Sequence, residues 1–166
     1  MFQIDDLVFY DKAGVCRVEY IGPLDGIQGV DRNKTYYRLS LFHGKGTIYI
    51  PVETSVFMRP ILTSDQVNAL IDQLPSIKEN ACCDRNVRLL AEHYQAAFET
   101  HRCEDLLQVM KTIYSKSQNS GKRLGLVEQR YQKQAEELVY SEFSAALGIP
   151  FESVPEYIEA RIARLK

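Results

Sequence analysis

"GTIYIPV", residues 46–52, decides how the first third of this chain is built. Within it Ile48, Ile50 and Val52 alternate with Thr47, Tyr49 and Pro51. A period of two sends one set of side chains to a buried face and the other to water, the pattern of a half-buried strand. Pro51 has no N–H to give to a ladder, which places this end of the strand at a sheet edge or a bulge. On either side, "LVFY" (7–10), "GVCRVEYI" (14–21), "TYYRLSLF" (35–42) and "VFMRPI" (56–61) are equally rich in β-branched and aromatic residues. The turn-forming stretches "DKAG", "GPLDGIQGVDRNK" and "HGKG" separate them. This density of short strands predicts a small antiparallel β-barrel of the Tudor or SH3 kind over residues 1–62.

Beyond residue 62 the apolar period changes to that of a helix. "TSDQVNALIDQL" opens with Thr63 and Gln66 at capping-box spacing, aligns Val67, Leu70, Ile71 and Leu74, and stops at Pro75. Residues 84–100 place Val87, Leu90, Ala91, Tyr94 and Phe98 on one face. Residues 104–117 do the same with Leu106, Leu107, Met110, Ile113 and Tyr114. After the polar loop "QNSGKR", a longer helix over 125–147 carries Val127, Tyr131, Ala135, Leu138, Val139, Glu142, Phe143 and Leu147 in phase. Gly148 and Pro150 end it. "SVPE" predicts a last helix over 154–165, with Ser153 as N-cap. The expectation is an α+β chain: the barrel, then a five-helix α bundle over 63–166.

Composition sets broad limits. The chain has 166 residues, 45% hydrophobic and 25% charged, enough to bury a core of ordinary size. No apolar run approaches the ~18 residues of a membrane span. "MFQIDDLVFY" carries acids where a secretory signal would carry bases. Cys16, Cys82, Cys83 and Cys103 lack the spacing of a disulfide framework. A reducing, cytoplasmic setting is expected. The net charge of −2 argues against a protein that coats nucleic acid. The charge is unevenly spread, however. Between Leu106 and Gln134 lie Lys111, Lys116, Lys122, Arg123, Arg130 and Lys133 against Glu128, whereas Ala135–Ala160 holds glutamates and no Lys or Arg. This leaves two readings, a weak anion-binding surface or solvated helix faces.

Catalytic patterns are missing from the sequence. His43, His93 and His101 belong to no metalloprotease, P-loop, nucleophile-elbow or dinucleotide motif. The glycines of "HGKG" join two strands and read as a hairpin turn. Adjacent Cys82 and Cys83 diverge in direction and do not have the spacing that wraps zinc, and a disulfide between them would be strained. One buried and one partly exposed cysteine is the reading, with Cys83 near a helix N-terminus where a thiol pKa falls. No metal, no cofactor and no enzymatic activity are expected.

In order and spacing, these segments resemble the CarD/CdnL family of bacterial RNA polymerase-binding regulators. The resemblance rests on "MFQIDDLVFYDKAGVCRVEYI" (1–21), "YYRLSL" (36–41) and "TIYIPVE" (47–53). In the helical half it rests on "YQAAFETHRCEDLLQVMKTIYSKSQNSGKRLGLVEQRYQKQAEELVYSEFSAALGI" (94–149). It implies a barrel that pairs a strand edge with the polymerase β subunit. It also implies a helical domain that touches promoter DNA at the edge of the transcription bubble, where the family wedges a tryptophan into the minor groove. This chain has no tryptophan. The matching neighbourhood is "ACCDRNVRLL" (81–90), so Cys82 and Cys83 occupy that region without replacing the wedge, a cysteine being too small to fill an opened base step.

The resemblance therefore implies a monomeric regulator that modulates open-complex stability. Its polymerase-binding edge strands would carry Tyr37, Leu39, Thr47, Tyr49 and Pro51. Its weak, non-sequence-specific DNA patch would carry Arg85, Arg88, Lys122, Arg123 and Arg130. The alternative is a protein-interaction adaptor that keeps the barrel surface and has lost DNA work.

Overall fold

The computed structural model describes residues 2–11, 13–80, 86–120 and 124–165. The predicted strands form as β1 (Leu7–Tyr10), β2 (Gly14–Gly22), β3 (Tyr36–Leu41), β4 (Thr47–Pro51) and β5 (Met58–Pro60). They make one antiparallel sheet in the order β4-β3-β2-β1-β5. A register shift between Val18 and Tyr20 bends β2, and the sheet buries Val8, Cys16, Val18, Tyr37, Leu39 and Ile50 on one face. The expected barrel is not closed: among the described residues β4 and β5 do not pair. β5 spans only three residues and ends on Pro60, too short and too poor in donors to complete a ring.

The helices are α1 (Ser64–Gln73), α2 (Val87–Glu99), α3 (Cys103–Ser120), α4 (Leu126–Leu147) and α5 (Val154–Arg164). The Thr63–Gln66 capping box forms in both directions, and Gly148 closes α4 in the left-handed region at φ 69°. Two local expectations differ. α2 starts at Val87, capped by the Asn86 side chain, where a start near 84 is expected from the sequence. Ser153 makes no side-chain cap, because a 3₁₀ turn over Phe151–Ser153 leads straight into α5. Two clusters fill the helical part. Val67, Ile71, Leu107, Val139, Phe143 and Val154 join α1, α3, α4 and α5. Tyr94, Val109, Ile113, Tyr131 and Ala135 join α2, α3 and α4.

α4 is also where the sheet meets the helices. Gly14, at φ 82°, brings β2 so close that an added Cβ would lie 3.1 Å from Leu138. Nearby, Glu142 is 1% exposed, a carboxylate that must be paired to be buried. The Arg59 guanidinium supplies a two-pronged partner at 2.6 and 2.8 Å, and the Leu62 N–H donates to the same carboxylate at 2.9 Å. Burial works against the Arg59 charge, but hydrogen bonding and attraction from Glu142 outweigh it, so its pKa is raised. Arg59 also stacks over Phe9, 4.4 Å from the ring centroid.

The segment between α1 and residue 80 buries little of its own. A polar stripe on α3 fastens it instead. Lys111 Nζ donates to the carbonyls of Leu74, Pro75 and Ile77 at 3.0, 3.0 and 2.7 Å. Gln108 donates to the Lys78 carbonyl, Thr112 accepts from the Asn80 N–H, and Ser115 donates to Glu79. These positions share one helix face by their spacing.

At the other end of the bundle, Arg161 of α5 grips Asp72 of α1 through two bonds of 2.7 and 2.9 Å, which hold the Asp72 carboxyl below its usual range. A depressed folded-state pKa gives stability that is complete above the unfolded value and lost as pH falls through the folded one. Asp72→Asn is therefore expected to lower the thermal midpoint at neutral pH, with the difference from wild type shrinking below about pH 4. A melting series across pH checks this.

Candidate functional site

The free backbone of the sheet lies on β4. Leu41 N–H bonds Gly46 O and Val52 N–H bonds Thr35 O. Between those bonds, β3 and β4 pair Leu39 with Ile48, Arg38 with Tyr49, Tyr37 with Ile50 and Tyr36 with Pro51. Hydrogen-bonded and non-bonded pairs alternate in an antiparallel ladder. Ile48 and Ile50 therefore point their backbone groups at β3, and Thr47 and Tyr49 point theirs away from the sheet. Pro51 faces outward too, and falls where no inward N–H is needed.

The proposed edge residues thus divide. Thr47 and Tyr49 are exposed, Tyr49 by 44%, and Pro51 is half-buried. Tyr37 and Leu39 are in the core, because β3 is flanked by β2 and β4 and has no free edge. They pack beneath the edge rather than on it. The expectation that two neighbouring strands share the edge fails because spatial strand order is not written in the spacing of strands. Beside Tyr49, Arg38 is exposed and lies over the Tyr20 ring at 5.5 Å. The opposite edge, β5, is blunted. The Pro60 carbonyl accepts from Arg59, and Pro60 has no N–H.

The proposed DNA residues lie in the helical part. Arg85, Lys122 and Arg123 fall outside the described residues, as do Cys82 and Cys83. Arg88 is exposed in the first turn of α2, 3.6 Å from Glu92. Arg130 is exposed on α4, its guanidinium 4.9 Å from the Tyr131 centroid. Glu128, in the first turn of α4, is 4% exposed and accepts from Lys116 Nζ near the end of α3 at 2.8 Å and from the Tyr94 hydroxyl in the middle of α2 at 3.5 Å, while Leu90 in the first turn of α2 packs in the same cluster as Leu124 and Val127. Arg88 and Arg130 therefore share one end of the bundle. The same end exposes Val87, Leu89, Tyr114 and Leu126.

Not every cation of the basic stretch is available there. Lys111 is committed to three carbonyls and Lys116 to Glu128. Lys133 is exposed. Sequence reasoning counts Lys111 and Lys116 with the others, since nothing in their spacing reveals their partners. Glu128 has a readable signal: it sits three residues before Tyr131 and seven before Ala135, in phase with the buried stripe.

The remaining chemistry is quiet. Burial pushes the Cys16 thiol up to about 11, and burial with the nearby Glu142 charge pushes Cys103 up as well, so neither thiol ionises near neutral pH. Among the described residues, no group of three or more His, Cys, Asp or Glu is placed to hold a metal, and no helix is long and apolar enough to cross a membrane. A groove of about 480 Å³ between sheet and helices is lined by His43, Gln95, Phe98, Glu137, Leu138 and Ser141 among others.

A comparison with curated proteins gives no match. A comparison with family models matches residues 2–62 to the CarD-like/TRCF RID domain, a protein-interaction domain and not a catalytic one. The match covers the whole sheet, including its free β4 edge. Residues 2–62 are thus similar to a CarD-like/TRCF RID domain.

Proposed function

We propose that the protein is a CarD-like transcription regulator. It adds a strand of the RNA polymerase β subunit to β4 and lays the basic end of its helical part on promoter DNA without reading sequence, which modulates open-complex stability. The observation that carries this reading is the β4 edge, with the backbone of Thr47 and Tyr49 turned outward in a domain that matches the RID family. The division into an interaction domain over 1–62 and a DNA-contacting part over 63–166 belongs to the same proposal. The test is a pull-down of purified bacterial polymerase, and separately of its β subunit, on the full-length chain. Retention of both supports the reading, and retention of neither overturns it.

DNA contact is supported by Arg88 and Arg130 at one end of the bundle, with Lys122 and Arg123 close in sequence. Because Lys111 and Lys116 are engaged internally, few phosphates can be neutralised. The log–log salt slope of binding is expected at about −2 to −4, and Arg88→Ala with Arg130→Ala should lower it by up to about 2. With no tryptophan, preference for bubble over duplex DNA should stay under roughly tenfold. Fluorescence anisotropy on both templates across salt concentrations measures all three. The internal engagement of Lys111 and Lys116 also favours a second reading, an adaptor that binds polymerase alone. Absence of DNA binding at low salt would select it.

A further inference from the structure

We infer that Arg59 and Glu142 form a joint that holds the sheet and the helices as one rigid body, fixing the separation between the β4 edge and the end of the bundle that carries Arg88 and Arg130. The fork of Arg59 meets both carboxylate oxygens, at 2.6 and 2.8 Å, and such a pair restricts rotation as well as distance. Glu142 makes its third bond, 2.9 Å, to the N–H of Leu62, where the chain leaves the sheet for α1. One buried carboxylate therefore ties the edge strand β5, the connecting backbone and the C-terminal third of α4. Phe9 of β1 supports the guanidinium from its other side, 4.4 Å away.

A buried ion pair contributes less stability than apolar packing of the same volume would, but apolar packing lacks its directionality. That makes Arg59 and Glu142 positioning residues for both surfaces. Three further contacts brace the joint from separate places on the sheet. Gly14 of β2 abuts Leu138. Asp11, between β1 and β2, meets His101 Nε2 at 2.9 Å, and the same imidazole stacks on Phe57 at 4.2 Å. His43, in the hairpin that leads into β4, stacks on Phe151 before α5 at 4.1 Å. None of these contacts has the two-pronged geometry of Arg59 and Glu142, so they steady the joint without replacing it. From Glu142 to Arg130, α4 then acts as a strut of about 18 Å.

Residual dipolar couplings of the full-length protein test this without polymerase or DNA, so the result is independent of the functional proposal. In the wild type one alignment tensor should fit amides of both sheet and helices. In Glu142→Gln each part should still fit its own tensor, but the two tensors should differ in magnitude and orientation. If Glu142→Gln does not fold, Arg59→Lys, which keeps the charge and loses the fork, should give the same split. A wild type that needs two tensors, or a folded variant that keeps one, overturns the inference.

Discussion

Glu142→Ala is expected to destabilise the protein by about 3–5 kcal/mol, the usual cost of removing one partner of a buried ion pair. The loss has three parts. Arg59 keeps its charge in a half-buried site with no carboxylate to meet it, the Leu62 N–H loses its acceptor, and a space opens beside α4. For a chain of this size that corresponds to a fall of roughly 6–20 °C in the thermal midpoint. Replacing both partners, Arg59→Met with Glu142→Leu, should recover most of it, because no charge is then stranded. Urea unfolding of the wild type, the single and the double variant measures the contrast. A single variant within about 1 kcal/mol of wild type would show that Glu142 is paired without being needed.

Tyr49→Pro is expected to weaken polymerase binding by roughly ten- to a hundredfold, as one outward N–H is lost and the acceptor opposite it goes unsatisfied. The substitution suits the site. Tyr49 lies in a non-bonded pair with Arg38 on an edge strand, so proline removes no bond within the sheet. Leu41 offers no equivalent test, because its N–H is already bonded to Gly46 and a proline there would break the hairpin. Binding of full-length wild type and variant to immobilised polymerase, with far-UV dichroism as the control for folding, decides the matter. Equal affinity with an intact fold would move the contact away from β4.

The sequence is most legible where one physical pattern dominates. Alternation in "GTIYIPV" marks both the strand and its proline-ended edge, and the Thr63–Gln66 box forms as its spacing implies. Strand order is not legible, since hairpin-like spacing fits several sheets. Hence the sequence reading gives Tyr37 and Leu39 an edge that β3 does not have. Side-chain partners distant in sequence are hidden as well. Lys111 looks like one more surface cation, yet its acceptors lie 34 to 37 residues away. Glu142 is an intermediate case. Its place on the α4 stripe beside Val139 and Phe143 marks it as inward-facing, while the Arg59 that satisfies it lies 83 residues earlier.

The α3 stripe that fastens residues 74–80 bears on the order in which the molecule is made. A ribosome releases the N-terminal end first. The sheet and α1 leave the exit before Gln108, Lys111, Thr112 and Ser115 exist. Until those four side chains emerge, the carbonyls of Leu74, Pro75 and Ile77 lack the Lys111 ammonium, and Leu74 keeps only the local N–H of Ile77. The end of α1 should stay frayed on the nascent chain and close late, as α3 zips along it. A chain stalled with residue 108 still inside the exit tunnel would be open to proteases between 74 and 80, and one stalled after residue 115 has emerged would be shielded there.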